Sequence, residues 1–417
     1  MKKNIYILGG SLYGCFLAYQ FSKKKNYNVN LIENSDKLIT SLNPIFLGKF
    51  KFNNGLHIFE LPRSQDIVKF FKKKLKIKFN FYQNDKKNLF ERNIINYNEK
   101  LSNWPEEIKK NVKLKKKIYN SNQNLKDYFK KDLIKLFEKS SSRFSNTFNE
   151  SKKLFLPFFL PGDIRDISKD EGMVSRNMLK TSKKTLKIAT LKKYLFCSLQ
   201  NPMEKFLKKR GVKIFFKTKI NFNNNKIKFF KKDKEIKIFK NNMDKVFFCL
   251  NSAVMLKDLY PKYLSELTKV RIFFYNCLIE IDKKEKPLNF SEMLCLNSKV
   301  PNVNRITCPS NYFNFQKRKY LQIELFSKNE LNLKKIKKNI ILEIKEIFLL
   351  KKKPKIVDFK NTRIIYSPDK FWTKKSIKKC KIWIKNNEKK IFSRFNFLPV
   401  NMNKTWIWAK EDFKKYN

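Results

Sequence analysis

The chain has 417 residues, of which 42% are hydrophobic and 15% aromatic, so it has room for two or three domains and is too apolar to be disordered. One histidine and seven scattered cysteines without a CxxC pair argue against a multi-histidine or four-cysteine metal centre, and they predict reduced thiols and no metal site. We expect a cytoplasmic protein without a transmembrane segment, because no secretory pattern opens the sequence and its apolar runs are short.

The formal net charge of +59 raises the alternative of a nucleic-acid-binding protein. Only 11 of the 95 basic residues are arginine, and the lysines are spread along the whole chain. Nucleic-acid-binding surfaces usually favour arginine and cluster their charge on one face. The composition is therefore more typical of AT-rich codon usage. We expect no specific nucleic-acid partner, only weak binding to polyanions.

The first predicted elements form a βαβ unit. A strand over residues 4–8 leads into Gly-Gly-Ser-Leu-Tyr-Gly, a helix follows from Ser11 to about Lys23, and a second strand over 27–32 ends in Glu33. In dinucleotide-binding folds the pyrophosphate lies on the amides at such a helix N-terminus, and an acidic residue about 20 positions later binds the ribose. The predicted cofactor-binding residues here are Gly9, Gly10, Ser11, Leu12, Tyr13, Gly14, Glu33 and Asn34.

Ser11 stands at the middle glycine of the GxGxxG pattern. A serine hydroxyl can cap the helix or contact a phosphate oxygen, but the side chain can also reduce affinity. The alternative interpretation of the whole unit is an ordinary strand, turn and helix without a ligand.

The second informative segment, residues 53–64, reads NNGLHIFELPRS and contains the only histidine. Ser64 is a predicted N-cap, with Asp66 in the first helical turn. The apolar face predicted for this helix consists of Ile67, Phe70, Phe71 and Leu75.

ILGGSLYGC and LIE, followed about 20 residues later by G-x-H-I-F, resemble flavoproteins of the amine oxidase and protoporphyrinogen oxidase type, a group that includes UDP-galactopyranose mutases. Residues 55–61 are similar to the G-P-H-I-F-H-T segment of the mutases. Residues 54–57 together with residues 62–64 resemble N-G-x-H-Y-P-R-S, a pattern of related oxidoreductases. The resemblance implies FAD as the cofactor, with Gly55 and Arg63 among the residues that bind it. It also implies that His57, the candidate catalytic residue, lies beside the flavin ring; a histidine satisfied by backbone hydrogen bonds is the alternative.

Later segments predict further elements. In chain order these are a hairpin over 89–104, a helical stripe over 125–137, a helix over 202–210, a strand over 211–216, a hairpin around 223–225, a buried strand over 244–250, strands over 271–281 and 320–325, and a helix over 333–347. The resemblance implies an α/β fold, with a GR2-like, Rossmann-type FAD-binding domain and an inserted α+β substrate domain. We expect residues 1–90, 185–260 and 360–417 to form the discontinuous FAD/NAD(P)-binding domain, and residues 91–184 and 261–359 to form the substrate domain.

Arg305 and Arg363 lie in apolar, strand-like runs and are candidates for contacts with an anionic substrate group; ordinary ion pairs are the alternative. The resembled family usually closes the flavin site with a glycine-bearing segment, often G-R or G-D. No glycine follows Gly211 here, so that segment has either diverged or is missing.

Three functions are compatible with these observations. The first is an FAD-dependent, amine oxidase-like oxidoreductase that transfers hydride from a small substrate to flavin N5. The second is a UDP-galactopyranose mutase-like isomerase of sugar nucleotides in surface glycan biosynthesis. The third is a degenerate, non-catalytic Rossmann binding protein.

Overall fold

A computed structural model of the chain provides the structure. It describes residues 2–54, 58–61, 64–83, 87–90, 93–96, 187–193, 195–223, 226–239, 244–250, 254, 258–259, 271–297, 303–312, 318–327, 329–366, 374–386, 390–394 and 402–417. The helical stripe expected over 125–137 lies outside these ranges, as does the end of the hairpin expected over 89–104.

The strands of the described residues are numbered in chain order. They are β1 Lys3–Leu8, β2 Tyr27–Ile32, β3 Ile45–Leu47, β4 Phe50–Phe52, β5 Phe59–Glu60, β6 Phe79–Gln83, β7 Lys87–Phe90, β8 Asn93–Asn96, β9 Lys187–Leu191, β10 Lys213–Phe215, β11 Lys219–Asn223, β12 Lys226–Lys231, β13 Lys234–Ile236, β14 Lys245–Phe248, β15 Arg271–Ile281, β16 Glu292–Asn297, β17 Val303–Thr307, β18 Lys319–Ser327, β19 Lys355–Tyr366 and β20 Lys390–Ser393.

The α-helices of the same residues are α1 Leu12–Phe21, α2 Gln65–Lys74, α3 Gln200–Lys209, α4 Leu333–Ile347, α5 Lys374–Lys385 and α6 Met402–Tyr416. Short 3₁₀ turns cover Thr40–Leu42, Phe196–Leu199 and Pro309–Asn311. No helix of the described part of the chain is both long and apolar enough to cross a membrane.

A five-stranded parallel sheet holds the first βαβ unit. Its strand order is β10-β2-β1-β14-β20, and every neighbouring pair is parallel. The strand predicted over 244–250 is β14, and it pairs with β1 from Ile5 to Leu8. This topology confirms the predicted Rossmann-type α/β fold.

Both faces of this sheet are buried, which explains why its strands read as continuous apolar runs. Ile5 and Ile7 of β1 belong to a cluster with Phe16 of α1 and Trp406 of α6. Tyr6 and Leu8 face the other way, into a cluster with side chains of β11, β12 and α5. Helix α6 packs along α1, so the C-terminus lies against the first helix of the chain.

Helix α2 begins where the sequence predicted, with Ser64 at the N-cap position. The Ser64 side chain nevertheless makes no capping hydrogen bond, because its backbone has φ −100° and ψ 14° instead of the extended conformation of a capping residue. Asp66 in the first turn instead forms an ion pair of 2.9 Å with Lys410 of α6. The predicted apolar face is confirmed for Ile67, Phe70, Phe71 and Leu75, which are all buried.

A seven-stranded mixed sheet forms the second large layer, with the order β19-β15-β18-β17-β16-β7-β8. Strand β15 and helix α4 have the bounds that the sequence predicted. Ile340 and Ile344 of α4 pack on one face of the sheet, in a cluster with Cys277 of β15 and Ile323 of β18. The opposite face meets the segment from β3 to residue 54, where Phe52 packs on Leu278 and Tyr320. Two smaller antiparallel sheets, β5-β9-β6 and β11-β12-β13, complete the described strands besides the β3-β4 pair.

Candidate functional site

The turn that follows β1 requires glycine at its first position. Gly9 has φ +107°, a conformation that side chains rarely adopt, and a Cβ there would lie 2.7 Å from Leu250 Cδ2. Its N–H donates to the carbonyl of Ile32 at 2.8 Å, which ties the turn to the end of β2. The turn therefore lies at the carboxyl edge of the parallel sheet, where α/β folds bind their ligands.

Ser11 is the N-cap of α1. Its backbone is extended (φ −63°, ψ 170°), and its Oγ accepts a hydrogen bond of 3.3 Å from the N–H of Gly14. The same hydroxyl donates to the carbonyl of Cys249 at 3.2 Å, just after β14. The serine that replaces the middle glycine thus caps the helix and joins it to the central sheet.

Gly10 and Gly14 allow close packing around the turn. A Cβ at Gly14 would lie 2.0 Å from the carbonyl oxygen of Gly9, so the first turn of α1 rests directly on the backbone of the glycine turn. A Cβ at Gly10 would lie 2.7 Å from Leu38 Cδ2 and 2.8 Å from Glu33 Oε2. Neither position can hold a larger residue without movement of its neighbours.

Three backbone N–H groups at the start of α1 are open. The N–H groups of Ser11, Leu12 and Tyr13 make no hydrogen bond within the described part of the chain, whereas those of Gly10 and Gly14 are taken by side chains. Open N–H groups at a helix N-terminus bind anions through hydrogen bonds and the helix dipole. The turn therefore fits the diphosphate of a dinucleotide.

Glu33 places a fixed carboxylate beside these amides. Its Oε2 accepts from Gly10 N at 2.7 Å, and its Oε1 accepts from the N–H and hydroxyl of Ser35 at 2.9 and 2.6 Å. Its backbone N–H donates to Phe215 in β10, and its carbonyl accepts from Thr218, which fixes the end of β2. A buried carboxylate at this position can accept hydrogen bonds from ribose hydroxyls. The predicted neighbour Asn34 is exposed.

Tyr13 connects the turn to the C-terminus. Its hydroxyl donates a short hydrogen bond to Asp412 of α6, and Asp412 also accepts from Arg394 Nε at 2.8 Å and Nη2 at 2.6 Å. Arg394 Nη2 reaches Glu411 at 2.9 Å as well, and the guanidinium lies 5.2 Å from the centre of the Trp408 ring. We call these five side chains the C-terminal latch.

The environment of the C-terminal latch fixes the protonation states of Tyr13 and Arg394. Burial raises the pKa of the Tyr13 hydroxyl well above its usual value, so this group keeps its proton and remains a donor. Burial opposes the charged form of Arg394, but the hydrogen bonds and charge of Asp412 outweigh it and raise the pKa of the guanidinium. The Arg394 guanidinium therefore stays charged over the whole physiological range.

Arg305 lies in a buried ion cluster on β17. Its Nη1 donates to Glu292 at 2.9 Å, and its Nη2 donates to both oxygens of Glu324 at 2.6 and 2.7 Å. Only 1% of the Glu324 side chain and 21% of the Arg305 side chain are exposed. Burial opposes the charge on Arg305, but the two carboxylates outweigh it and raise its pKa. The guanidinium is thus already neutralised by two partners.

A buried polar contact joins the second sheet to the segment that precedes residues 55–57. Asn276 Nδ2 donates to Thr362 Oγ1 at 2.8 Å and to Asn54 Oδ1 at 3.3 Å. Gln322 Nε2 donates to Asn276 Oδ1 at 2.7 Å and to the carbonyl of Asn53 at 3.1 Å. The second sheet therefore holds the beginning of the segment that carries the histidine motif.

Other predicted site residues lie elsewhere. Gly55, His57 and Arg63 are outside the described residues. Arg363 lies in β19, opposite Phe274 of β15. Leu12 is buried at the start of α1. In the described ranges, no group of three or more His, Cys, Asp or Glu side chains could hold a metal ion.

Sequence reasoning missed Arg394 and Asp412. Lys390–Ser393 forms β20, which pairs in parallel with β14, and Arg394 follows this strand directly. No local motif of the sequence marks Arg394 or Asp412, because the two residues meet only in the folded chain.

No protein-family model and no curated protein sequence matches the chain. Its structure is similar to that of a protoporphyrinogen oxidase-like protein of Exiguobacterium sp. 255-15, with 11% identity, a TM-score of 0.60 and coverage of 100% of this chain and 99% of the other. It is similar to reduced UDP-galactopyranose mutase, with 13% identity, a TM-score of 0.67 and coverage of 99% and 95%. It is also similar to putrescine oxidase bound to putrescine, with 10% identity, a TM-score of 0.56 and coverage of 100% and 99%.

At these identities the likeness establishes the fold. Two of the three similar structures belong to the groups named from the motifs of residues 4–64, which confirms the resemblance. The chain has the α/β fold shared by the protoporphyrinogen oxidase-like, UDP-galactopyranose mutase and putrescine oxidase structures.

Proposed function

We propose that the chain binds FAD at the turn over residues 9–14 and acts as an FAD-dependent oxidoreductase on a small organic substrate. The observation that carries this proposal is the set of three open N–H groups beside the fixed carboxylate of Glu33. The shared fold with an oxidase that binds putrescine supports it. In this proposal residues 1–90, 185–260 and 360–417 bind the cofactor, and residues 91–184 and 261–359 enclose the substrate.

The chain's own residues would bind and orient the reactants. The amides of Ser11, Leu12 and Tyr13 hold the diphosphate, and the Glu33 carboxylate accepts hydrogen bonds from the ribose. Bound FAD would supply hydride acceptance, the chemistry that no side chain provides. His57 is proposed to hold a proton near the reacting atoms, and the Asn276–Gln322 contact keeps its segment against the second sheet.

A mutase-like function is the second candidate. A sugar nucleotide carries a diphosphate, and the substrate pocket of a mutase usually binds it with arginines and tyrosines. Within the described residues, Arg305 is paired with Glu292 and Glu324, and Arg394 is paired with Asp412. Because both guanidinium groups already have carboxylate partners, these pairings favour the oxidoreductase over the mutase. The mutase is kept as the second candidate because its structure has a similar fold.

The first test is cofactor binding. The protein is purified in high salt to remove polyanions, its visible spectrum is recorded, and added FAD is titrated by fluorescence quenching. The proposal expects about one FAD per chain and no binding by Gly9→Val, because that position has φ +107°. A protein that refuses FAD would instead be the non-catalytic binding protein.

The second test separates the two enzymes. An oxidoreductase substrate bleaches the flavin absorbance under anaerobic conditions, because the substrate loses two electrons. A mutase substrate leaves the oxidised flavin spectrum unchanged and is isomerised only after the flavin is chemically reduced. Amines and UDP-galactopyranose are the two probes. If neither bleaches the flavin, amines are not the substrates of the oxidoreductase.

A further inference from the structure

Two side-chain hydrogen bonds fix the N-terminus of α1 to other parts of the fold. On one side the hydroxyl of Ser11 donates to the carbonyl of Cys249 at 3.2 Å, which fixes the turn to the central strand β14. On the other side the hydroxyl of Tyr13 donates to Asp412 of α6. Ser11 and Tyr13 also carry two of the three open N–H groups. The same two residues therefore fix the helix through their side chains and face the proposed ligand with their backbone amides.

The hydrogen bond between Tyr13 and Asp412 has a fixed geometry because Asp412 is itself held in place. Asp412 is 6% exposed, and two hydrogen bonds from Arg394 fix the orientation of its carboxylate. Arg394 follows β20, which pairs with β14. The contacts therefore form a closed ring that runs from β14 through β20, Arg394, Asp412, Tyr13 and Ser11 back to the end of β14.

A helix N-terminus binds an anion best when its N–H groups already have the bound orientation, because no ordering cost then opposes binding. We infer that Asp412 is a positioning residue for the dinucleotide site: through Tyr13 it holds the open amides of α1 in the orientation that binds a diphosphate. The inference rests on the proposed function, since it names the part of the C-terminus that completes the proposed cofactor site.

The first substitution and its control change no charge. Tyr13→Phe removes only the hydroxyl that reaches Asp412, and the FAD affinity is expected to fall about tenfold, the effect of one hydrogen bond to a charged group. Tyr19→Phe is the matched control on the same helix, because the Tyr19 ring packs on Phe70 and Phe206, away from the latch. Its FAD affinity is expected to stay within about twofold of the unaltered protein.

Two readouts separate positioning from general destabilisation. The melting temperature of the FAD-free protein reports the stability lost with the buried hydrogen bond and shows whether Tyr13→Phe is still folded during the titration. ADP, which carries the diphosphate without the flavin, should lose affinity together with FAD. In the double variant Tyr13→Phe/Asp412→Asn, the effects on FAD affinity should be clearly less than additive, because both substitutions break the same link.

The outcomes are distinct. If the unaltered protein binds neither FAD nor ADP, the proposed function fails and this inference fails with it. If the unaltered protein binds FAD and Tyr13→Phe binds it equally well, or if the two substitutions act additively, only the positioning role of Asp412 is overturned. A tenfold loss of both FAD and ADP affinity that is confined to Tyr13→Phe, measured at a temperature where the FAD-free variant is folded, supports it.

Discussion

Gly14→Ala tests the proposed dinucleotide site by adding one methyl group. The new Cβ would lie 2.0 Å from the carbonyl oxygen of Gly9, a separation that non-bonded atoms do not adopt. Because the clash is with backbone, rotation of a side chain cannot relieve it, and the start of α1 must move by roughly 1 Å. That movement displaces the open amides of Ser11 and Leu12.

The expected loss of stability is modest. Overpacking costs about 1–3 kcal/mol, and alanine regains about 1 kcal/mol over glycine within a helix, which leaves a net loss of about 0–2 kcal/mol. The loss of FAD affinity is expected to be larger. Two weakened charge-assisted hydrogen bonds to the diphosphate amount to about 3 kcal/mol, which is roughly a hundredfold in the dissociation constant.

Gly211→Ala is the matched control. Gly211 has φ +79° and no atom within 4 Å of its would-be Cβ, so alanine there suffers only the backbone cost of about 1–2 kcal/mol. Urea unfolding should report similar losses of stability for both variants, while FAD titration should report weaker binding for Gly14→Ala alone. Equal FAD affinity in the two variants would refute the assignment of the site to this turn.

Four further outcomes are expected. Glu33→Gln should weaken FAD binding about tenfold in the same titration, because it removes a charged acceptor; an unchanged affinity would move the ribose site elsewhere. Leu349→Gly should raise the unfolding free energy by about 0.5 kcal/mol, since Leu349 lies just after α4, 86% exposed and at φ +48°. Leu342→Gly, inside α4, should lower it by about 1 kcal/mol. Arg305→Met should cost about 3 kcal/mol at pH 7.5. The substitution leaves two buried carboxylates without their cation, and a loss below about 1 kcal/mol in urea unfolding, the size expected for an exposed pair, would argue against the buried ion cluster. His57→Ala should reduce turnover more than FAD content, and equal turnover would return the histidine to a structural role.

The sequence predicts the first βαβ unit well because its signals are local. The predicted strand over 27–32 has the observed bounds, and the helix expected from Ser11 is capped by Ser11. The predicted helix over 333–347 is likewise confirmed, since a strong apolar period of 3.6 residues lies within one segment. In each case the residues that decide the structure are neighbours along the chain.

The partners of the charged residues could not be predicted, because they depend on register between distant segments. Arg305 meets Glu324 only because β17 and β18 pair in one antiparallel register. Tyr13 meets Asp412 across 399 positions of sequence. A single sequence contains no record of such pairs.

The scarcity of glycine gives a physical criterion for which glycines the fold needs. Among the described residues, Ile39, Lys76, Lys217, Lys232, Asp233 and Leu349 adopt positive φ without being glycine. A left-handed residue costs about 1–2 kcal/mol, which a chain of this size can tolerate at several places. At Gly14, however, a Cβ would meet a backbone oxygen at 2.0 Å, and at Gly9 a positive φ coincides with a contact of 2.7 Å. Ser11, at φ −63°, meets neither restriction, and its hydroxyl is used as a cap. Residues other than glycine therefore occupy several left-handed positions of this chain, whereas at Gly9 and Gly14 the close packing of the turn forbids a side chain.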